Sequence, residues 1–150
     1  QLAPQCRIVR TPEGVDGAAA VAAAMVAAGD AAIRDARPDV ILATMSPFEL
    51  WRPAAELGLH HGLPVVHDLR DPWALDGVQS YRTWWHWHRA LLEMRAMLRS
   101  ADGVIANTPE CRGLFLRAER RLAPERVVAI TNGDRCQEIE GGRFRRQAEE

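Results

Sequence analysis

The sequence predicts an α/β domain in which helices cover both faces of a parallel sheet, giving three layers. Short apolar runs of strand length alternate with longer segments of helical periodicity along the chain. Several of the apolar runs end in polar residues and are followed by helix-start signals, as parallel strands joined by helical crossovers require. No internal repeat or polar linker interrupts this alternation, so it indicates one domain.

Four apolar runs are the predicted strands, at residues 40–43, 65–67, 104–106 and 127–130. A helical segment separates each run from the next, so the four strands should lie parallel in one sheet. A further short run at residues 6–9 is a candidate edge strand.

The predicted helices occupy about residues 16–37, 47–60, 80–100 and 109–122. Ser46 with Pro47, and Thr108 with Pro109, have the pattern of an N-cap followed by the first helical residue. Ser80 is the predicted N-cap of the third helix.

The composition describes a globular chain with no strong charge. Its 150 residues suffice for one domain with a sizeable core, and 47% of them are hydrophobic. The net charge of -1 gives no reason to expect nucleic acid as a partner. All 19 cationic residues are arginine, which excludes a lysine-based mechanism but retains the capacity to bind anions.

The cysteines favour a reducing, cytoplasmic location. Cys6, Cys111 and Cys136 are odd in number and widely spaced, which argues against a disulfide framework or a zinc ribbon. The longest apolar run, residues 18–28, is mostly alanine and too short to span a bilayer. The sequence therefore predicts a soluble protein.

Polar residues follow the strand at residues 65–67 without a gap. His67, Asp68, Arg70 and Asp71 form a dense cluster there, and Pro72 then stops the strand. In open α/β sheets, ligands bind outside the carboxyl ends of the strands. The sequence therefore predicts a ligand site at this edge of the sheet.

Four stretches carry a resemblance to a known family: PDVILATMSPFE, LPVVHDLRDPWA, LLEMRAMLRSADGVIANTPECRGLF and RVVAITNGD. Together they resemble the N-terminal, acceptor-side domain of GT-B glycosyltransferases of the family-4 type, which is Rossmann-like. The resemblance implies transfer of a sugar from a nucleotide-sugar donor to a hydroxyl acceptor, such as a lipid or polysaccharide precursor, with retained configuration. It implies neither a metal nor any other cofactor.

The resemblance also implies roles for individual residues. The implied residues are the catalytic His67 and Asp68, the ligand-binding Arg70, Asp71, Asn107 and Thr108, and the hinge residues Asn132 and Gly133.

Three of these residues have a structural explanation as well. Thr108 is explained as a helix N-cap, which we favour, and His67 could be a half-buried histidine that is hydrogen-bonded to the backbone. Arg70 could be the ion-pair partner of Asp71 or Asp76.

The resemblance further implies that the chain is incomplete. Residues 1–134 would be part of an acceptor-side domain that lacks its first strand region, and residues 135–150 would begin the linker to a missing C-terminal donor domain. Such a chain should not catalyse transfer alone. The alternative function is a non-catalytic α/β binding or regulatory module.

Two further groups of residues, one of histidines and one of tryptophans, suggest alternative functions. His60, His61, His67 and Asp68 suggest a metal-dependent phosphohydrolase, but such enzymes place the His-Asp pair on helices, whereas the sequence around Val65 favours a strand.

Four tryptophans concentrate at residues 73–87. Packing under a long helix is the favoured explanation for Trp84 and Trp87, with Trp85 the better candidate for exposure. The alternative is contact with the inner face of a membrane.

Overall fold

The computed structural model describes residues 17–45, 47–77 and 80–131. Four helices and four strands alternate along these residues, as the sequence predicts. In chain order they are α1 (Ala18–Ala36), β1 (Ile41–Met45), α2 (Trp51–His61), β2 (Val65–Leu69), α3 (Trp84–Ser100), β3 (Gly103–Ala106), α4 (Pro109–Ala118) and β4 (Val127–Ala129).

The four strands form one parallel sheet in the order β1-β2-β3-β4. The register aligns Ala43 with His67 and His67 with Val104, which places the middle of β2 at the centre of the sheet. This confirms the predicted parallel arrangement of all four strands. The candidate edge strand at residues 6–9 lies outside the described residues.

The crossover helices cover one face of the sheet. Because the strands follow one another in sequence order, right-handed crossovers bring α2, α3 and α4 to the same face. On that face Val65, His67 and Leu69 are all buried. On the opposite face of the described sheet, Leu42 is 60% exposed and Val128 is 49% exposed.

The core lies between the buried face of the sheet and the helices. Met45 and Leu69, at the ends of β1 and β2, are fully buried together with Met94 and Leu98 from α3 and Phe115 from α4. Burial of side chains this large is the main favourable term in folding. The core therefore anchors the carboxyl ends of β1 and β2, where the predicted site begins.

The start of α2 differs from the prediction. Pro47 has an extended backbone, with ψ of 156°, and a 3₁₀ turn, Phe48–Leu50, precedes the α-helix. Pro53 stands in the first turn of α2, where its missing N–H leaves no helical hydrogen bond unmade. Pro47 as the first helical residue is thus wrong, and Ser46 lies outside the described residues. The predicted end is confirmed at Gly62, whose φ is 66°.

The start of α3 also differs, because Thr83 and not Ser80 is the N-cap. The Thr83 hydroxyl accepts a hydrogen bond from the His86 backbone N–H at 3.4 Å, and its oxygen lies 2.7 Å from the His86 ring Nδ1. The helix begins at Trp84, and about one turn later the indole N–H of Trp87 donates to the Ala74 carbonyl at 2.9 Å.

Helix α4 begins as predicted but ends four residues early. Thr108 is its N-cap, confirming the sequence prediction. The chain leaves the helix at Glu119, whose buried carboxylate accepts hydrogen bonds from Arg99 at 2.8 Å and from Arg95 at 3.4 Å. This ion-pair cluster joins the end of α4 to α3, so the helix stops where a tertiary contact replaces the next helical turn.

Candidate functional site at the carboxyl edge of the sheet

Polar residues from two strand ends meet at the carboxyl edge of the sheet. Arg70 and Asp71 directly follow β2, and Asn107 directly follows β3. The Asn107 side-chain amide donates a hydrogen bond to the Arg70 carbonyl at 2.9 Å, which ties the two loops together. This is the edge at which open α/β sheets bind ligands.

Arg70 is the most available cation of this cluster. Its side chain is 56% exposed, and its Nε lies 3.9 Å from a carboxylate oxygen of Asp68. An ion pair of that length between partly solvated groups contributes little to stability, so Arg70 can change partners at small cost. The geometry suits recognition of a phosphate or carboxylate arriving from solvent.

Asp71 is exposed and stands close to the start of α4. Burial raises the pKa of the Cys111 thiol, and the negative charge of Asp71 raises it further. A hydrogen bond with the Asn107 backbone has the opposite effect, which is smaller than that of burial. The Asp71 carboxylate is therefore near enough to Cys111 to influence it electrostatically. Its exposure leaves it free to accept hydrogen bonds from hydroxyl groups.

Thr108 serves as a cap in this structure. Its Oγ1 accepts a hydrogen bond from the Cys111 backbone N–H at 3.1 Å. The explanation favoured from sequence is confirmed for this residue. A contact between Thr108 and a ligand remains a prediction, as do the binding roles of Arg70, Asp71 and Asn107.

His67 does not lie at the rim of the site, so the predicted rim position is wrong. It is the middle residue of β2 and has 0% exposure. Neither ring nitrogen has a hydrogen-bond partner among the described residues, which also rules out the half-buried, backbone-bonded alternative within them. Burial lowers the pKa of His67 to about 4, against an opposing effect of Asp102, so the ring is neutral at pH 7.

Asp68, the second predicted catalytic residue, faces away from His67. Neighbouring residues of a strand point to opposite faces, so Asp68 lies on the less buried face together with Val66. Its side chain is 21% exposed. The two residues therefore do not form a pair in one cavity, although they are adjacent in sequence.

An aromatic cavity of about 510 Å³ opens at the same end of the sheet. Phe48, which follows β1, and Trp73, which follows β2, stack in parallel in its wall, with ring centroids 4.6 Å apart and an interplanar angle of 1°. Trp73 has a φ of 47°, an uncommon backbone conformation for a bulky residue, which the surrounding packing maintains. The remaining lining residues include Trp51, Arg52, Tyr81, His86, Arg89 and Glu93.

The sequence did not point to this cavity. Phe48 and Trp73 are 25 positions apart, and only the parallel pairing of β1 with β2 brings the residues after the two strands together. An aromatic residue after each of two predicted neighbouring strands was the available signal. The predicted hinge residues, Asn132 and Gly133, lie outside the described residues.

The histidines of the hydrolase hypothesis are separated in the structure. His67 and Asp68 are on a strand, as the sequence favoured, while His60 and His61 end α2 at the opposite edge of the sheet. There, His61 bonds Asp30 of α1 at 2.7 Å, and Arg34 forms an ion pair with the same carboxylate. His60, His61 and Asp30 are metal-ligand residue types within reach of one another, but Asp30 already holds α1 to α2.

The tryptophans divide between core and surface. Trp73 is buried and Trp87 is half-buried with a bonded N–H, so packing is confirmed for Trp87. Trp85 is 71% exposed, as predicted. Packing is wrong for Trp84, which is 58% exposed because it stands in the first turn, beyond the part of α3 that contacts the core. Across the described part of the chain, no helix has the length and apolar character needed to cross a membrane.

Comparison with solved structures supports the fold. The chain is similar to a UDP-N-acetylglucosamine 2-epimerase, with a TM-score of 0.57, 14% identity, and coverage of 81% of this chain and 31% of the other. It is also similar to the UDP-GlcNAc 2-epimerase from Neisseria meningitidis bound to UDP-GlcNAc, with a TM-score of 0.56, 14% identity, and coverage of 93% and 36% respectively. The chain thus spans about a third of the length of these structures, and the likeness concerns the fold.

Comparison with sequences gives the family. No curated protein sequence matches the chain at a significant level. The model of the glycosyl transferase 4-like domain, however, matches residues 2–133, which is most of the chain and includes all four strands. This match agrees with the resemblance carried by the four sequence stretches and with the parallel α/β sheet. The chain therefore belongs to the family of glycosyl transferase 4-like domains.

Proposed function

We propose that the chain is the acceptor-side part of a glycosyltransferase that moves a sugar from a nucleotide-sugar to a hydroxyl acceptor with retained configuration. One observation carries the proposal. In a domain of the glycosyl transferase 4-like family, strand-end polar residues and an open aromatic cavity both lie at the carboxyl end of the sheet. Aromatic faces and carboxylates together are suited to sugar rings and their hydroxyl groups.

The proposed roles follow from accessibility. Arg70 binds a phosphate oxygen of the donor through its exposed guanidinium. Asp71 and Asp68 accept hydrogen bonds from hydroxyl groups, and Asn107 fixes the Arg70 backbone so that the guanidinium starts from a defined position. Thr108 contributes through the start of α4, where the backbone N–H groups favour an anion.

His67 enters the proposal differently from Asp68. A ring with 0% exposure cannot donate a hydrogen bond to a sugar unless the protein opens over β2. Its proposed catalytic role therefore requires a conformational change when the donor binds. A neutral imidazole, as its lowered pKa maintains, is the form that could then donate one hydrogen bond and accept another.

The donor class is supported by the fold alone. One similar structure holds UDP-GlcNAc, so a nucleotide-sugar fits this architecture. The proposal includes a second domain that binds the donor, a hinge at Asn132 and Gly133, and a cytoplasmic location. It includes no metal and no cofactor besides the donor substrate.

The experiment measures sugar transfer by the purified protein, with any sequence that flanks this chain in its gene included. A panel of nucleotide-sugars and hydroxyl acceptors is screened, and the anomeric configuration of the product is read by NMR. Arg70→Gln should lower kcat/KM by about 10²-fold, the loss typical of one oriented hydrogen-bond donor. The matched control is Arg120→Gln, since Arg120 is an exposed arginine beyond α4 and far from this edge.

The outcomes separate enzyme from module. Transfer that Arg70→Gln impairs and Arg120→Gln leaves unchanged supports the proposal. Tight binding of a nucleotide-sugar without turnover of any acceptor favours the non-catalytic module. Equal activity of Arg70→Gln and wild type shows that the carboxyl-edge cluster does not hold the donor.

A further inference from the structure

The outward side of α3 carries an apolar surface that the core does not use. The helix buries Met94, Met97 and Leu98 against the domain. Trp85 and Leu92, two helical turns apart, point the other way and are 71% and 50% exposed. We call the exposed residues Trp84, Trp85 and Leu92, together with the exposed Arg82 and Arg89, the outer tryptophan face.

The two tryptophans of this face are held in place rather than loose. Their rings meet edge to face with centroids 4.7 Å apart, and Trp84 also stacks on His88 at 5.1 Å. Large apolar side chains that are exposed together mark a surface with a partner. Because the rings are already arranged, binding a partner costs less side-chain entropy.

The charges around the face are positive. Arg82 and Arg89 are exposed beside the tryptophans, and the first turn of α3 holds no acidic residue. The first acidic residue of the helix, Glu93, is directed to α2, where Arg52 pairs with it at 2.5 Å. The carboxylate nearest to Arg89 and Leu92 is thus already neutralised by Arg52, which leaves Arg82 and Arg89 to set the charge of the face.

We propose that the outer tryptophan face binds the surface of a membrane that contains anionic phospholipid. Tryptophan rings reside at the boundary between headgroups and acyl chains, which matches two exposed indoles at one helix end. Arg82 and Arg89 meet lipid phosphates, and Leu92 contacts the upper acyl chains. Tryptophan and arginine also occur together at protein interfaces, but two exposed indoles beside cations at a helix end whose first turn holds no acidic residue favour an anionic lipid surface.

The position of the face adds to the argument. Helix α3 follows β2, so its first turns lie at the carboxyl edge of the sheet, and His86 and Arg89 also line the aromatic cavity. A membrane bound here would lie beside the opening of that cavity. Lipid binding itself needs neither a sugar donor nor turnover, so the inference stands independently of the proposed transfer reaction.

The experiment is vesicle flotation with the purified protein, including its flanking sequence. One set of vesicles contains phosphatidylcholine alone, and the other equal parts of phosphatidylcholine and phosphatidylglycerol. Wild type should bind the anionic vesicles at least about tenfold more tightly, with weaker binding at high salt. The double variant Trp84→Ala/Trp85→Ala should lose at least about tenfold in affinity.

Two further variants separate the contributions. Arg82→Gln/Arg89→Gln should lose about tenfold on anionic vesicles and should also lose the salt dependence. Leu59→Ser is the matched control, because Leu59 is 88% exposed on α2 and lies outside the face. Circular dichroism confirms that each variant is folded, which the exposure of the replaced side chains leads us to expect.

Three results would overturn the proposal. The first is absence of wild-type binding to anionic vesicles, and the second is equal binding by wild type and the double tryptophan variant. The third is concentration-dependent dimerisation in analytical ultracentrifugation that the same tryptophan substitutions abolish, since the face would then bind a second copy of the chain.

Discussion

The burial of His67 predicts a specific loss of stability in mild acid. An unfolded chain leaves the ring near its ordinary pKa of 6.5, whereas the folded protein lowers the pKa to about 4. Between these two values the unfolded state binds a proton that the folded state does not. Stability is therefore complete above pH 6.5, falls as the pH decreases to about 4, and changes no further from this source below that value.

The magnitude follows from the same two values. Each pH unit of difference corresponds to about 1.4 kcal/mol, so His67 accounts for a loss of about 3 kcal/mol across the window. That is a large share of the stability of an ordinary domain, which is about 5–15 kcal/mol. Carboxylates also titrate towards the lower end of this window, so the loss must be isolated by comparison with a variant.

The variant is His67→Leu, which fills a similar volume without a titrating group. At pH 7 it should differ from wild type by less than about 1.5 kcal/mol, because the substitution roughly conserves volume and removes two unpaired nitrogens. Urea unfolding followed by circular dichroism gives the stability of both proteins between pH 6.5 and pH 4. Wild type should lose about 3 kcal/mol more than the variant.

The control for this comparison is Leu59→Ser, which changes an exposed side chain without a titrating group and should keep the wild-type pH dependence. Parallel pH profiles for wild type and His67→Leu would refute the reasoning. Such a result would mean that the ring reaches water or a partner in solution, and would restore a position near the cleft.

Three other predictions concern packing, ion pairing and the exposed face of the sheet. Gly58→Ala should cost about 1–3 kcal/mol in denaturant unfolding, because an added Cβ would lie 2.2 Å from a methyl group of Val65, whereas Gly77→Ala meets nothing within 4 Å and serves as its control. Glu119→Gln should cost about 1–3 kcal/mol at pH 7. Burial alone would raise the pKa of Glu119, but hydrogen bonds from the Arg121 backbone and from Arg99 hold this pKa below its usual value. The stabilisation by the carboxylate is therefore lost as the pH falls through the lowered pKa. In acid-titrated unfolding, the stability of the variant should approach that of wild type. The 150-residue chain by itself should aggregate or unfold with little cooperativity, because one face of its described sheet exposes Leu42 and Val128. Calorimetry and light scattering measure this, and a sharp two-state transition of a monomer would contradict it.

The strands were predictable because each depends on a local pattern. Apolar runs of strand length between helical segments located β1 to β4, and the family resemblance agreed with their parallel order. Thr108 was equally predictable, since an N-cap threonine followed by proline acts within one helical turn. Ser80 was the wrong N-cap because serine and threonine are both acceptable at that position, and the place where α3 begins, after Thr83, depends on tertiary contacts that the sequence does not show.

The position of His67 was misjudged although the sequence contained the necessary signal. Side chains alternate along a strand, so His67 shares a face with Val65 and Leu69, and both of these are buried. The prediction gave weight to the sequence of polar residues after Val66 and not to this alternation. The stack of Phe48 on Trp73 is a different case, because it depends on a tertiary contact between two loops.

The alternation along β2 also determines which residues can form one half of an active site. Since His67 faces the buried side of the sheet, a ligand at the carboxyl edge can meet Asp68 only from the less buried face. It otherwise meets the side chains after Leu69, where the backbone leaves the sheet. Arg70 is the first side chain free of that constraint. Its position is set by the hydrogen bond from Asn107 and by the buried Trp73 that turns the chain back towards the domain. The chemistry proposed here therefore depends first on the loop after β2, which Asn107 ties to the end of β3, and His67 can take part only after the opening over β2 that its proposed role requires.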